Sequence, residues 1–502
     1  MHEVTISTRH TGSDEKTPCP DADVPLCVDL DGTLVRTNTL IESLFGILRD
    51  HPWQALKVPV WLMRGLPYAK QQIQSLHRIN VERLPYNQDV LDFIHREKSK
   101  GRRIILVTAS TENVAARVAE HLRCFDEAHG TRANLNLKGQ AKARLLTERF
   151  GSRGFDYLGD SHADIPIWEQ ARTPISVNSA SFKVNGREIE HISDSSHPMR
   201  TPVLYAKTMR VHQWVKNALV AVPLLASHKI FDPRLLMHCI GAMLALSCLA
   251  SSTYILNDLF DLESDRKHRT KASRPIPSGN VPLSNAIFLA LILGILGVLI
   301  ASRISAGTLA LCLLYVVCTI SYSMWLKRKL LVDTLMLAAL YTLRVLIGGA
   351  ATEIPISFWL LAFSVFVFFS LAVVKRVIEI SAAPAGSITS GRGYFSGDMY
   401  VLTDLGITSA FVATAVFALY INSNEVQLLY ANPKVLWTLC PVILYWFSRI
   451  WILAHRGRIH DDPIIFLFKD RISYLLAAIA VVSLVIAKFG QLPSAIKKYI
   501  TF

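Results

Sequence analysis

The stretch Asn257-Asp258-Leu259-Phe260-Asp261-Leu262-Glu263-Ser264-Asp265 follows a long apolar segment and decides how the rest of the chain is interpreted. If the helix predicted from Leu235 continues through it, Asp258, Asp261 and Asp265 lie at positions i, i+3 and i+7 and share one helical face. Three aligned carboxylates at the end of an apolar helix repel one another unless a cation lies among them. The pattern therefore predicts a metal site at a membrane surface.

A run of basic residues follows these carboxylates directly. Hard cations such as Mg2+ take oxygen ligands and often share them with substrate phosphates, and Lys and Arg side chains can hold the outer charge of a diphosphate. The carboxylates and the basic residues that follow them together predict that the substrate is a diphosphate ester. The alternative is an acidic helix end that only meets water and pairs with the next basic turn. The basic residues are Arg266, Lys267, Arg269, Lys271 and Arg274.

Apolar residues are distributed unevenly along the chain. Of its 502 residues, 51% are hydrophobic and 18% are charged. The first half has the composition of a soluble domain, whereas apolar segments of about 20 residues, the length that crosses a bilayer, recur from Val211 onward. We therefore predict a multidomain protein whose second half is an all-α polytopic membrane domain of about nine transmembrane helices, near residues 214–228, 235–257, 283–302, 306–325, 331–350, 357–374, 405–422, 434–453 and 472–489.

The formal net charge of +14 does not indicate a nucleic acid partner. Most of the excess Lys and Arg residues lie in short loops after the even-numbered predicted spans, which the positive-inside rule assigns to the cytoplasm. We expect a multi-pass protein of the inner (plasma) membrane, with the N-terminal domain and the active sites on the cytoplasmic side. Residues 1–23 lack the apolar core of a secretory signal peptide and are predicted to form a disordered leader. No pattern in the sequence indicates an oligomeric state.

Functional groups follow the predicted strands of the N-terminal half. The strand that begins at Val24 ends in Asp29-Leu30-Asp31-Gly32-Thr33, the strand at 103–108 ends in Thr108, and the strand from Phe155 runs into Asp160 and then Asp164. Helical stretches separate these strands, which is typical of a parallel, Rossmann-like α/β sheet. Because the carboxyl ends of such strands meet in one crevice, we expect these groups to lie together.

These motifs resemble the four motifs of haloacid-dehalogenase-type (HAD) phosphatases, across residues 24–195. The resemblance implies that Asp29 attacks phosphorus and that Asp31 is the general acid and base. It also implies that Thr108 and Lys138 hold the phosphoryl oxygens, while Mg2+ is bound by the carboxylates Asp29, Asp31, Asp160 and Asp164. Residues 38–88 are inserted between the first two motifs and are predicted to form a helical cap over the site.

Residues 205–502 resemble the UbiA superfamily of intramembrane prenyltransferases. In that family the pattern NDxxDxxxD binds Mg2+ and a diphosphate, which implies metal and substrate roles for Asn257, Asp258, Asp261 and Asp265. A polar and aromatic cluster ahead of the first predicted span contains Lys216 and Asn217, which we predict to bind substrate. The alternative for that cluster is anchoring at the membrane interface.

The chain departs from ordinary members of that family after the sixth predicted span. Where a second Asp-rich motif is expected, the sequence has Lys375-Arg376-Val377-Ile378-Glu379. With Arg344, this pattern looks more like the decaprenyl-phosphate phosphoribosyltransferase branch. There the donor is phosphoribosyl pyrophosphate and the acceptor is a polyprenyl phosphate, so basic residues suit the site. The alternative is that Lys375 and Arg376 only flank the cytoplasmic end of that span, as the positive-inside rule expects.

We therefore expect an integral-membrane, Mg2+-dependent transferase that moves 5-phosphoribosyl from phosphoribosyl pyrophosphate to a polyprenyl phosphate. The fused HAD phosphatase would remove the 5-phosphate of the product. Two alternatives remain open. One is a prenyltransferase that uses a polyprenyl diphosphate and an aromatic acceptor, and the other is a membrane-anchored phosphatase whose membrane half is not catalytic.

Overall fold

The computed structural model describes residues 23–132, 135–177, 183–184, 187–192, 201–381, 393–459, 463–467 and 469–490. The predicted leader therefore lies outside the described residues, apart from Asp23. The chain divides into two compact units, one of residues 1–204 with 258–285 and one of residues 205–257 with 286–502. The segment 258–285, which contains most of the acidic motif, thus groups with the N-terminal domain; we call it the acidic loop.

The N-terminal unit contains a six-stranded parallel sheet in the order β3-β2-β1-β4-β5-β8. The strands β1 and β2 are buried almost throughout, as expected of parallel strands covered by helices on both faces. Two apolar clusters cover the two faces of the sheet. The strands are β1 (Leu26–Val28), β2 (Ile104–Thr111), β3 (Glu127–Thr131), β4 (Asp156–Gly159), β5 (Pro174–Val177), β6 (Lys183–Val184), β7 (Arg187–Glu188) and β8 (Glu190–Ile192).

Helices connect these strands, and four of them form the segment between the first two motifs. That segment begins where the Asn38 side chain accepts a hydrogen bond from the backbone N–H of Ile41 and caps α1. This architecture confirms the predicted Rossmann-like α/β domain. The helices are α1 (Thr39–Asp50), α2 (Pro52–Ala55), α3 (Val58–Met63), α4 (Leu66–Leu76), α5 (Gln88–Ser99), α6 (Glu112–Leu122), α7 (Gln140–Phe150) and α8 (Ile165–Trp168).

The second unit is built from long apolar helices. Eight helices in the described part of the chain are long and apolar enough to cross a membrane. The remaining helices are α9 (Thr201–Thr208), α10 (Val222–Ala226), α11 (Pro233–Phe260), α12 (Leu262–Lys267), α13 (Leu283–Ile304), α14 (Ala306–Met324), α15 (Val332–Thr352), α16 (Phe358–Ser381), α17 (Met399–Ile421), α18 (Asn424–Leu429), α19 (Leu439–His455), α20 (Pro463–Leu467) and α21 (Arg471–Phe489).

The first predicted span, near 214–228, is not a membrane-length α-helix. Residues Val211–Ala221 form a 3-10 helix and α10 adds only five residues, beginning beside Pro223. A 3-10 run of this length is uncommon, and here it packs closely on α15. A Cβ on Gly348 would lie 2.0 Å from the backbone oxygen of Val220, so only glycine permits this approach.

The helix through the acidic motif is also not continuous, contrary to the prediction. The helix α11 ends at Phe260, and Asp261, at the N-cap position of the short α12, has a non-helical φ of -100° and ψ of 13°. The simple i, i+3, i+7 face therefore does not exist. The carboxylates Asp258 and Asp265 are nevertheless both buried, at 3% and 2% exposure.

Candidate active sites

The carboxyl ends of β1 and β4 bring the predicted phosphatase carboxylates together. The backbone turns sharply after Asp29, where Gly32 has a φ of +86°. A Cβ at Gly32 would lie 2.2 Å from Oδ2 of Asp160, so glycine is required both by the backbone conformation and by the neighbouring carboxylate. Thr33 Oγ1 donates a hydrogen bond to Asp160 Oδ1 at 3.3 Å, which holds the two turns against each other.

Three carboxylates converge at this edge of the sheet. Ligand oxygens of Asp29, Asp160 and Asp164 lie within 4.8 Å of one another. Burial raises the pKa of Asp29 to about 6, and burial together with the charges of Asp29 and Asp164 raises the pKa of Asp160 to about 8. Crowded, desolvated carboxylates of this kind are stabilised by a hard divalent cation. The donor set therefore fits Mg2+.

Asp31 is not part of this cluster in the described structure, in contrast to its predicted role as a metal ligand. Its Oδ1 accepts a hydrogen bond from the backbone N–H of Thr39 at 2.7 Å, and its Oδ2 accepts one from Ser110 Oγ at 2.7 Å. These bonds occupy both oxygens of the Asp31 carboxylate. Burial raises the pKa of Asp31, which favours a carboxyl that carries a proton.

The lysine beside the predicted nucleophile is Lys142, not Lys138. Lys142 Nζ donates hydrogen bonds to Asp29 Oδ1 at 2.8 Å and to Tyr157 Oη at 2.9 Å. The Tyr157 hydroxyl in turn donates to Asp164 Oδ1 at 2.9 Å. Lys138 precedes the helix α7 and is exposed, whereas Lys142 lies in the first turn of α7 with its side chain 2% exposed. The ammonium at this position can neutralise charge on a bound phosphoryl group.

Sequence reasoning missed the residues by which α4 reaches the same crevice. Lys70 Nζ donates hydrogen bonds to the backbone oxygen of Ala109 at 2.7 Å and to Asn136 Oδ1 at 2.8 Å. Burial lowers the pKa of Lys70 to about 8. The only signal in the sequence was a polar residue on the apolar face of a helix. Thr108 is fully buried within β2, three residues before the strand ends, and its hydroxyl accepts a hydrogen bond from the backbone N–H of Ser110 at 3.0 Å.

In the acidic loop, two of the predicted carboxylates converge on one cationic group. Arg274 Nη1 lies 3.2 Å from Asp258 Oδ1 and 2.8 Å from Asp265 Oδ2. Lys271 Nζ lies 3.6 Å from Asp265 Oδ1, and Lys267 pairs with Glu263 instead. Within the described residues, the loop's carboxylates do not form a three-ligand cluster like that of the phosphatase. Two buried carboxylates that converge on one point of the loop fit a cation site.

The acidic loop is fastened to α1 of the phosphatase domain. Arg266 donates to both oxygens of Glu42, at 2.6 and 3.0 Å, and its Nε donates to the backbone oxygen of Pro277 at 2.8 Å. Phe45 meets Phe260 edge to face with ring centroids 5.5 Å apart. A Cβ on Gly279, where φ is +76°, would lie 2.6 Å from Cβ of Arg36. The loop therefore contacts the N-terminal domain at several separate points.

The second unit holds a buried cationic cluster around Arg344. Its Nε donates to Asn217 Oδ1 at 3.1 Å and its Nη2 donates to the Tyr315 hydroxyl at 3.0 Å. Asn217 donates in turn to Ser247 Oγ at 2.9 Å, and Lys216 Nζ lies 5.8 Å from the ring centre of Tyr341. The predicted residues Lys216, Asn217 and Arg344 are thus brought together in one buried region.

A second cationic cluster in this unit surrounds Arg376. Its guanidinium forms ion pairs with Asp333 and Glu379 and donates to the Tyr322 hydroxyl at 3.1 Å. The Arg376 side chain is 1% exposed and that of Asp333 is fully buried. The charge of Arg376 is therefore neutralised by carboxylates of the protein itself. The sequence pattern predicts instead that Arg376 binds a substrate phosphate. Lys375 and Asn257 are half-buried.

Comparisons with known proteins agree with both halves of the chain. The model of the UbiA prenyltransferase family matches residues 217–469, and that of haloacid dehalogenase-like hydrolases matches residues 26–169. The chain is 35% identical over 479 residues to the uncharacterized protein y4nM of Sinorhizobium fredii, covering 93% of this chain and 92% of that one.

Two other relatives match about half of the chain. The chain is 31% identical over 269 residues to the nodulation protein NoeC of Azorhizobium caulinodans, covering 53% of this chain and 87% of that one. It is 32% identical over 218 residues to the decaprenyl-phosphate phosphoribosyltransferase of Mycobacterium tuberculosis, covering 43% of this chain and 71% of that one.

Proposed function

Because the chain belongs to the UbiA prenyltransferase family and carries a haloacid dehalogenase-like hydrolase domain, we propose that it is a two-site membrane enzyme acting on polyprenyl phosphates. The transferase site moves 5-phosphoribosyl from phosphoribosyl pyrophosphate to a polyprenyl phosphate. The hydrolase site then removes the 5-phosphate from the product. The predicted limits of the two domains, 24–195 and 205–502, are part of this proposal.

One observation carries the transferase assignment: Asp258 and Asp265 are buried and both pair with Arg274, and Lys271 lies 3.6 Å from Asp265. That arrangement supports binding of a cation together with a diphosphate. Asn257 and Asp261 are nearby in the sequence, and Lys267 and Lys271 supply further positive charge. Mg2+ bound there would neutralise the charge that develops on the leaving pyrophosphate. The named decaprenyl-phosphate phosphoribosyltransferases support the choice of donor and acceptor.

In the proposed transfer, the anomeric C–O bond of the donor breaks and pyrophosphate leaves with the bonding electrons. An oxygen of the lipid phosphate forms the new bond to the anomeric carbon. We assign phosphate recognition in the membrane unit to Arg344 and Lys216. Arg344 is oriented by Asn217 and Tyr315, and the ammonium of Lys216 lies over the ring of Tyr341. Lys375 is retained as a candidate phosphate ligand, while Arg376 and Glu379 are assigned to the ion-pair cluster of Asp333.

In the hydrolase site, Asp29 is the proposed nucleophile toward the 5-phosphate. The P–O bond to the ribose breaks, and Asp31, whose pKa is raised by burial, supplies the proton to the departing 5-hydroxyl. Lys142 balances the charge of the phosphoryl group, and Thr108 remains a predicted ligand of its oxygens. Water then attacks the phosphoaspartate with Asp31 as base. The carboxylates Asp29, Asp160 and Asp164 would hold Mg2+, which neutralises charge on the phosphoryl group.

The proposed location is the inner (plasma) membrane, with the hydrolase domain and the acidic loop on the cytoplasmic side. The basic loops that follow alternate spans support the cytoplasmic side for the acidic loop through the positive-inside rule. Placing the hydrolase domain on the same side requires that the 3-10 helix Val211–Ala221 and α10 together also cross the membrane. A cytoplasmic site gives access to a water-soluble, highly charged donor.

The transferase proposal is tested with membranes that contain the protein, labelled phosphoribosyl pyrophosphate and a polyprenyl phosphate. The expected result is label in the lipid fraction together with released pyrophosphate. Transfer only from a polyprenyl diphosphate to an aromatic acceptor would establish the prenyltransferase alternative. No transfer from either donor, with phosphatase activity retained, would leave the membrane half as an anchor.

The phosphatase proposal is tested separately with the purified protein and the phosphoribosylated lipid. Release of inorganic phosphate is expected. Hydrolysis of other monoesters without release from this lipid would contradict the proposed coupling of the two reactions.

A further inference from the structure

The helices α2 and α3 of the N-terminal domain expose an unusual number of large apolar side chains. Their exposed fractions range from 40% to 87%, and Trp53 and Met63 are 81% and 87% exposed. We call this surface the apolar cap face; its members are Trp53, Leu56, Val60, Leu62, Met63 and Leu66. A contiguous apolar surface on a soluble domain is normally kept small unless it has a binding partner.

The opposite side of the same segment is apolar as well. Trp61 is 9% exposed and packs with Ile47, Ala69 and Ile73 against α1 and α4. The segment is therefore hydrophobic around its whole circumference, although only one side is covered by the fold. A helix with this pattern is expected to be buried on both sides.

The charges in this part of the chain identify the partner. Residues 51–81 contain Lys57, Arg64, Lys70 and Arg78 and no Asp or Glu. Lys57 and Arg64, which flank α3, are both exposed, and Arg64 lies over the ring of Tyr68 at 5.6 Å. An exposed Trp with aliphatic neighbours and flanking basic residues is the composition of a segment that lies in the interfacial layer of an anionic bilayer.

The described part of the chain has eight helices long and apolar enough to cross a membrane, so the domain that carries the apolar cap face is tethered to a bilayer. We propose that the apolar cap face enters the interfacial layer of that bilayer and that the phosphatase therefore takes phosphate monoesters of membrane lipids. The second part of this inference rests on the proposed phosphatase function; the first part does not.

The helix α4 connects this face to the phosphatase crevice. It begins at Leu66 within the apolar cap face, and one turn later Lys70 reaches Ala109 and Asn136 beside the catalytic carboxylates. Further along α4, Gln74 Oε1 accepts a hydrogen bond from the backbone N–H of Thr111 at 3.1 Å. A lipid headgroup at the membrane surface would thus meet the entrance of the site, while its tail stays in the bilayer.

Insertion is tested on the full-length protein in vesicles of phosphatidylcholine with anionic phosphatidylglycerol. The variant Trp53→Cys is labelled with a polarity-sensitive fluorophore, and Glu120→Cys on the exposed surface of α6 is the matched control. Wild-type protein labelled in parallel gives the background from native cysteines. We expect brominated lipids to quench the label at position 53 and not at position 120. We expect Lys57→Gln with Arg64→Gln to weaken that quenching.

The substrate class is tested by kinetics on Trp53→Ser with Met63→Ser. Each apolar side chain that leaves water can change a binding constant roughly tenfold. We expect KM for a polyprenyl-linked monoester in vesicles to rise by about tenfold or more, with turnover of p-nitrophenyl phosphate within about twofold of wild type.

The outcomes separate the two parts. Quenching at position 53 without hydrolysis of any lipid monoester by the wild type would retain the membrane contact and overturn the phosphatase proposal. Absence of quenching at position 53 would overturn the proposed membrane contact. If the label were instead shielded from water to a degree that rises with protein concentration, the apolar cap face would be assigned to contact with a second copy of the chain. An unchanged KM in the double variant, with quenching intact, would overturn the link between the face and the substrate.

Discussion

Glu42 and Arg266 form a bidentate ion pair in which the two side chains are only 7% and 8% exposed. Glu42 lies in the first turn of α1, one turn after Thr39, whose backbone N–H holds Asp31 of the phosphatase. Arg266 is the neighbour of Asp265 in the acidic loop. A single helix thus contacts Asp31 of the phosphatase domain through one residue and the acidic loop through another.

Replacing Glu42 with Gln should loosen the acidic loop. Removing one partner of a buried ion pair leaves the other charge uncompensated and costs about 3 kcal/mol. We expect faster hydrogen exchange in residues 262–281 and a fall in transferase turnover on the order of tenfold, because small misplacements of a site are costly. The matched control is Glu112→Gln, which removes the exposed pair with Arg132. Equal exchange in both variants would contradict the assignment.

Lys142 and Lys138 should differ sharply in the phosphatase reaction. Lys142→Met removes the ammonium that contacts Asp29 at 2.8 Å, and we expect turnover to fall on the order of 100-fold or more, as on loss of one preorganised charged donor. Lys138→Met, on the exposed side of the turn, should change turnover by less than about threefold. Steady-state kinetics with p-nitrophenyl phosphate compares them. The opposite ranking would restore Lys138 as the functional lysine.

Proton binding and Mg2+ binding should compete in the phosphatase site. The pKa values of Asp29 and Asp160, about 6 and about 8 without metal, lie above the value near 4 of an unfolded carboxyl. The stability they contribute is complete below pH 4 and is lost as the pH rises through 6 and 8. We expect the unfolding temperature of the metal-free protein to fall over this range.

Mg2+ should reverse that trend, because it binds the ionised carboxylates. Its stabilising effect should be larger at pH 8 than at pH 5, and calorimetry at pH 7 should detect proton release on binding. Asp160→Asn should reduce both effects. A melting temperature in EDTA that does not change with pH would contradict the raised pKa values.

Asp265 should be required for transfer and dispensable for hydrolysis. Asp265→Asn removes one of the two buried carboxylates that pair with Arg274. We expect this variant to lose transfer of label from phosphoribosyl pyrophosphate and to keep its turnover of p-nitrophenyl phosphate. Glu263→Gln is the control, since Glu263 is partly exposed and pairs with Lys267 on the same short helix. Transfer that survives Asp265→Asn would remove the acidic loop from the reaction.

Arg376 should stabilise the membrane unit. Its replacement by Gln leaves the fully buried Asp333 without its ion-pair partner, at a cost of about 3 to 5 kcal/mol. Lys375→Gln, on a half-buried neighbour, should have a much smaller effect. Thermal unfolding in detergent distinguishes the two. A stable Arg376→Gln protein with a raised KM for the lipid phosphate would return Arg376 to the substrate site.

The sequence by itself determined both fold classes, because strand-end carboxylates and membrane-length apolar segments are local patterns. It also determined that Asp29, Asp160 and Asp164 meet, since the carboxyl ends of parallel strands share one edge. The tertiary structure decided which lysine joins them. Lys138 and Lys142 flank the same helix start, and only the packing of α7 turns Lys142 toward the sheet.

The acidic motif was predicted from spacing alone, and its carboxylates were assigned to one helical face. Tertiary structure breaks the helix at Asp261 and still brings Asp258 and Asp265 to Arg274, sixteen and nine residues away in the chain. The pairing of Arg266 with Glu42 spans 224 residues. The spacing of residues along a chain predicts only contacts within a few helical turns. Contacts between residues more than 200 positions apart form only when the two segments pack together in the tertiary structure.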